Sequence, residues 1–540
     1  MAIVKKNNFI LFVFAAYMIV LLGGIPFFHM IGKDGMAYFA LAQELFLLVG
    51  GALFYSMKEG IASLIRYRIR REQYREVRKL FLQALLLTLV ISVGISVLLE
   101  IVCPLLIENW LNLPLAVMTV RIAVLGIPFL ALAGVFQGYF QGFQMRAPGV
   151  HANFIFAAAF LIAGSISAEA FMVYGQKVSN LLHNGRFQYV YGAIGVSAGL
   201  VAASVLSLLY LFILYVIFHK SLEKEGNRDR EYLKSSESGI LLMRSVLGAG
   251  GFPALFYLVF AAPGFGLMMA FFLFHKADSA AISQFGEYFA GSRAWLMVLV
   301  LLMLILANSS IRKVMYYQER EEMRMAREKL GVLLHRVVVF VLPIAVLMAV
   351  LSENLTGLLL GDTQADATAA MQIGCIGIIF GTLGYLFVIL LMRFRQSMLT
   401  VLIAGGSFLL EMILTVIMMT AGMKGILVPA LGQVIYFVLL TVAGFLFVGK
   451  ELSYRQDWIR GVAIPTALAA VTGVITMLIN RFLTPAAGRL TGTLVCIVAG
   501  VLCYVILLLA SRNMREEELN GSMMGRLLLK LGGLLRFYER

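Results

Sequence analysis

Apolar runs of about twenty residues follow one another along the whole of this 540-residue chain and leave room for little else. Each is the length an α-helix needs to cross a hydrocarbon core of about 30 Å at a rise of about 1.5 Å per residue. The runs fall near residues 9–29, 37–65, 80–107, 117–143, 150–172, 188–218, 245–274, 293–312, 330–351, 369–392, 398–421, 425–448, 459–482 and 489–511. They predict an all-α polytopic membrane protein of about 14 transmembrane helices. With 61% hydrophobic and 14% charged residues, a water-soluble fold would lack the polar surface to cover itself. The first run follows Lys5 and Lys6 and is too long for a signal-peptide core, so it reads as an uncleaved span.

The net charge of +15 does not describe a nucleic-acid-binding domain, because Lys and Arg sit in short segments between apolar runs. They occupy alternate loops, at residues 66–79, 146, 220–234, 312–329, 393–395 and 450–460. Basic loops are held on the cytoplasmic side during insertion, which predicts a multi-pass membrane protein with both termini cytoplasmic and an even number of spans. Trp110, Trp295 and Trp458 each fall at the end of an expected span, where an indole favours the headgroup level. Cys103, Cys375, Cys496 and Cys503 have neither metal-ligand nor disulfide-framework spacing and read as packing residues.

The most polar interior segment, residues 219–237, divides the first twelve spans into two sets of six. The expected organisation is an N-terminal lobe at 1–218, a cytoplasmic linker at 219–244, a C-terminal lobe at 245–448, spans 13 and 14 at 449–511, and an amphipathic cytoplasmic tail at 512–540. Six is even, so both sets begin on the same side and suit parallel repeats.

Three segments carry a family resemblance. Gly24-Ile-Pro-Phe-Phe-His-Met-Ile-Gly-Lys-Asp-Gly35 ends the first span. Arg71-Glu-Gln-Tyr-Arg-Glu-Val-Arg-Lys-Leu-Phe81 forms the next basic loop. Gln137-Gly-Tyr-Phe-Gln-Gly142, followed by Pro148, closes span 4. Together they resemble the multidrug/oligosaccharidyl-lipid/polysaccharide (MOP) exporter superfamily, in its branch of stage V sporulation protein B, lipid II flippases and polysaccharide biosynthesis proteins. The resemblance implies two six-helix lobes around a central cavity plus two C-terminal helices. It also implies a flippase for polyprenyl-linked sugar intermediates, such as peptidoglycan or polysaccharide precursors, working by alternating access. Where that branch has arginines, this chain has Gly24, His29 and Gln137.

A pyrophosphate head cannot enter hydrocarbon bare, so such a protein needs donors or cations inside its spans. The polar candidates for a substrate cavity are Lys58, Glu59, Arg121, Gln137, Gln141, Glu44 and His29. Lys58 alternatively snorkels to the headgroups, and Arg121 lies near enough to the outer end of span 4 to do the same. His275 and Lys276 close span 7 on the outer side. Glu411 stands near the middle of span 11 among apolar neighbours; buried there it must be protonated, paired or wet, as an ion-coupling group would be, or else serves as a protonated structural carboxyl. Gly248-Ala-Gly-Gly-Phe-Pro253 and Ala262-Pro-Gly-Phe-Gly266 interrupt span 7, marking either a bending element or a static kink.

No P-loop, HExxH or nucleophile elbow occurs, so neither an enzyme nor a cofactor is expected, and membrane lipids are the expected surroundings. Coupling to a proton, Na+ or the membrane potential remains open. A cation-coupled multidrug antiporter, and a transport-inactive envelope or sporulation assembly protein of the same fold, stand as alternatives.

Overall fold

The computed structural model describes residues 15–16, 18–19, 23–71, 73–223, 235–275, 278–361, 365–394, 397–423 and 425–514. Most of span 1, the middle of the 219–244 linker, Lys276 and the tail beyond Met514 lie outside the described residues. Within them every regular element is a helix. In chain order the helices are α1 (Gly24–Ile69), α2 (Tyr74–Leu105), α3 (Val117–Val124), α4 (Ile127–Gly142), α5 (Ala147–Leu182) and α6 (Arg186–Glu223). There follow α7 (Ser235–Gly248), α8 (Gly251–Phe274), α9 (Ser279–Tyr288), α10 (Ala294–Glu319), α11 (Met323–Val350) and α12 (Ser352–Leu360). The chain closes with α13 (Ala365–Arg393), α14 (Ser397–Thr420), α15 (Leu427–Leu452), α16 (Ile464–Ala487) and α17 (Arg489–Ala510). Joined across their breaks, they supply 13 helices long and apolar enough to cross a membrane. These match spans 2 to 14 in number and order.

Helix α1 also holds the end of span 1. In an unbroken helix, residues 27 and 39 would stand about 18 Å apart along the axis. The Phe27 and Phe39 rings are instead 6.1 Å apart, so the chain doubles back between them. The corner is Gly32, at φ 65° and ψ 179°, a conformation essentially reserved for glycine. The Tyr189 ring closes over it, 3.1 Å from where a Cβ would stand.

Other breaks have local causes. Pro128 lacks the N–H that would continue α3 into α4, so the turn at Leu125 and Gly126 divides span 4. Span 7 breaks between α7 and α8 at Ala249 and Gly250, whereas Pro263 is accommodated inside a continuous α8. Span 8 differs from the expected 293–312: it starts at Ser279, and α9 runs into α10 through a π-helical turn, Phe289–Arg293. The small and polar side chains of residues 279–292 keep that stretch below the apolar threshold, although it folds as helix. Trp295 therefore lies sixteen residues inside the span, not at its end, with its indole N–H buried and without a hydrogen-bond partner among the described residues. Trp110 and Trp458 are exposed at span ends as expected.

The chain forms two compact units, Met1–Ala290 with Phe408–Pro429, and Gly291–Ser407 with Ala430–Arg540. In the first, α5 and α6 cross so closely that Gly199 meets the backbone of Gly164 and Gly195 that of Ala168, the small-residue contact by which membrane helices associate. In the second, Gly377 and Gly381 of α13 receive the Phe437 ring of α15, and the Thr441 hydroxyl donates to the Phe380 carbonyl at 2.6 Å. Asn354 of α12 donates to Asn480 at 2.7 Å and to Thr484 at 3.2 Å, fastening α16.

Candidate functional site

The Gln137-Gly-Tyr-Phe-Gln-Gly142 segment is first a packing device. Gly134, Gly138 and Gly142 recur every four residues along one face of α4, and that face lies on α1. A Cβ at Gly134 or Gly138 would stand 2.6 Å from the carbonyl oxygen of Phe54 or Lys58, respectively. This approach brings Gln141 to Glu59: its amide donates to both carboxylate oxygens, at 3.1 and 3.0 Å. Gln137 turns the other way, is buried, and donates to Asn153 of α5 at 2.8 Å.

Lys58 is placed differently from its neighbour. Its ammonium lies 5.7 Å from the Phe54 ring and 5.6 Å from the Tyr55 ring, held by their negative faces. Among the described residues it makes no hydrogen bond or ion pair, so α1 offers a half-buried cation with its donors unspent. The same stretch of α1 is gripped by span 7. Ser56 donates to the Val246 carbonyl at 3.3 Å, Ser245 to the Gly60 carbonyl at 2.8 Å, and the Tyr55 and Tyr257 rings lie 5.0 Å apart.

The remaining sequence candidates scatter. Glu44 is buried on α1. His29 is exposed, beside the Phe28 ring. Arg121 pairs with Glu100 at 3.6 Å on an exposed face, away from the Lys58 and Glu59 stretch. The His275 ring stacks on Phe271 and accepts a hydrogen bond from the Gly425 N–H at 3.4 Å. Glu411 is fully buried, and among the described residues neither carboxylate oxygen has a hydrogen-bond partner. Thr415, one turn on, is also fully buried, and its hydroxyl has no partner among the described residues. On the same face, Phe408 and Met412 lie against Gly266 of α8. A bare carboxylate so enclosed is costly, so the site asks for a proton or a cation.

Two cations escaped the sequence reading. Arg293 occupies the π turn of span 8, fourteen residues or about 21 Å from Ser279. Arg336 lies inside α11 and donates to Ser310 at 2.9 Å. The π turn has no sequence signature, and residues 279–292 looked like a loop that put Arg293 at the span's edge. Among the described residues, no group of three or more His, Cys, Asp or Glu side chains gathers as a metal site requires.

Long apolar helices broken at glycine and proline, with ionisable groups inside them, define a multi-pass helical membrane protein. No protein-family profile matches the chain. Its sequence is 21% identical over 516 residues to stage V sporulation protein B of Bacillus subtilis (strain 168), covering 93% of each chain. Its fold matches the lipid II flippase MurJ in an inward closed conformation, with a TM-score of 0.68 and 15% identity, over 93% of this chain and 98% of that one. It also matches an inward-facing multidrug resistance MATE family transporter of the MOP superfamily, with a TM-score of 0.65 and 14% identity, over 83% of this chain and 98% of that one. The chain therefore shares its fold with the MOP superfamily transporter and with the flippase.

Proposed function

We propose that this protein is a flippase that moves a polyprenyl-linked sugar intermediate across the bacterial cytoplasmic membrane by alternating access. In this reading both termini are cytoplasmic. The supporting observation is one of extent. Nearly all of the lipid II flippase and of the multidrug transporter is matched, yet the former accounts for 93% of this chain and the latter for 83%. The difference is about the length of two membrane helices, so the architecture accords better with the flippase. Lys58, with unspent donors between aromatic rings, suits an anionic head better than an organic cation. Arg293 and Arg336 add positive charge inside the spans, where Gly24, His29 and Gln137 supply none. Glu411 would carry the coupling proton or cation.

The test is a strain depleted of the protein, with its lipid-linked sugar species measured by mass spectrometry. Wild-type protein should clear the accumulated species, while Lys58→Ala and Glu411→Gln, expressed at normal levels, should not. Full clearance by both variants would sink the proposal. The buried Glu411 carboxyl also suits a cation-coupled multidrug antiporter. That second reading requires that deletion or overexpression change sensitivity to organic cations, and it fails if neither does.

A further inference from the structure

Glu100 of α2 and Arg121 of α3 form an ion pair with Arg121 Nε 3.6 Å from Glu100 Oε2. The pair faces outward. Arg121 is 45% exposed and Glu100 29%, while Leu98 and Ile101 beside Glu100, and Met118 and Leu125 beside Arg121, are each more than half exposed. These apolar neighbours belong to membrane-crossing helices, so the surroundings are lipid. Among the described residues nothing else bonds to either side chain, which leaves both Nη groups of Arg121 and Oε1 of Glu100 unfilled.

Two charges facing hydrocarbon need partners that water supplies only at the interface. Arg121 lies seven residues from Pro114, about 10 Å below that end of the helix pair. Side chains lean toward the N-terminus of their helix, so the guanidinium reaches back toward the interface marked by exposed Trp110. The site therefore presents donors and an acceptor side by side at the depth a headgroup can reach. Its complement is an acceptor and a donor on one short molecule.

We propose that Glu100 and Arg121 dock a phospholipid headgroup bearing both a phosphate and a primary ammonium, a phosphoethanolamine, in the leaflet on the Trp110 side. The phosphate takes the Nη groups of Arg121, and the ammonium donates to Glu100. A choline headgroup has no N–H to donate, and a glycerol headgroup adds no positive charge to match the carboxylate. The site is independent of the substrate assigned above.

The test uses the full chain with Trp295→Phe and Trp458→Phe, so that Trp110 alone fluoresces, in vesicles of phosphatidylglycerol mixed with either phosphatidylethanolamine or phosphatidylcholine carrying brominated acyl chains. Brominated phosphatidylethanolamine should associate about threefold more strongly than phosphatidylcholine, judged by Trp110 quenching. The preference should vanish in Glu100→Gln and in Arg121→Ala, or in Arg121→Gln should the alanine variant not fold. Equal quenching by the two lipids, or a preference that survives both substitutions, overturns the proposal. So does weak quenching by either lipid together with disulfide-linked dimers of Arg121→Cys, which would make this face a contact between copies.

Discussion

Replacing Gly138 by alanine adds one methyl at one of the closest approaches between α4 and α1. The new Cβ would stand 2.6 Å from the Lys58 carbonyl oxygen and 3.2 Å from Ile61 Cβ. Both neighbours belong to a rigid helix, so the helices must separate by several tenths of an ångström. Overpacking of this kind costs about 1–3 kcal/mol. Alanine also favours helix over glycine by about 1 kcal/mol, which offsets part of the loss. Gly94 of α2 supplies the control, since a Cβ there meets nothing within 4 Å. Gly94→Ala should gain up to about 1 kcal/mol from helix propensity alone, whereas Gly138→Ala should come out neutral to about 2 kcal/mol destabilised. The packing cost is then the gap between the two variants, measured by reversible unfolding in mixed detergent micelles. Since the separation also draws Gln141 from Glu59, Gln141→Ala should lose less in the Gly138→Ala background than in wild type. Equal stability of Gly138→Ala and Gly94→Ala would refute the close approach and, with it, the account of the glycine stripe.

Gly32→Ala should cost about 1–3 kcal/mol in the same unfolding measurement, because alanine is strained at φ 65° and ψ 179°. Adding Tyr189→Ala, which removes the ring over Gly32, should not restore the loss; recovery would mean steric contact and not the backbone sets the corner. Arg68 and Glu76 form a buried ion pair at 2.9 Å at the turn between spans 2 and 3. Arg68→Ala should lose about 3–5 kcal/mol by stranding a charge, while the paired change Arg68→Met with Glu76→Leu should lose less than the single change; a double variant as unstable as Arg68→Ala would contradict this.

The sequence by itself determined the helical membrane class, the order of the spans, thirteen of which lie among the described residues, and the placing of Lys58, Glu59 and Glu411 within them. It could do so because a backbone in hydrocarbon must satisfy its own hydrogen bonds, so an apolar run of sufficient length becomes a helix whatever its neighbours are. It also found the Gln137-Gly-Tyr-Phe-Gln-Gly142 motif without revealing that its glycines exist to press α4 onto α1. Only the tertiary structure decided which groups meet. Glu59 with Gln141 and Gln137 with Asn153 depend on how each helix is rotated about its axis, a property of side-chain packing across the whole unit. The π turn carries Arg293 and Trp295 deep into a span whose first half is too polar to be recognised by hydropathy. Arg121 was legible as a charge inside a span, but its partner Glu100 and its lipid-facing side were not, because helix period fixes which residues share a face and says nothing about what that face touches.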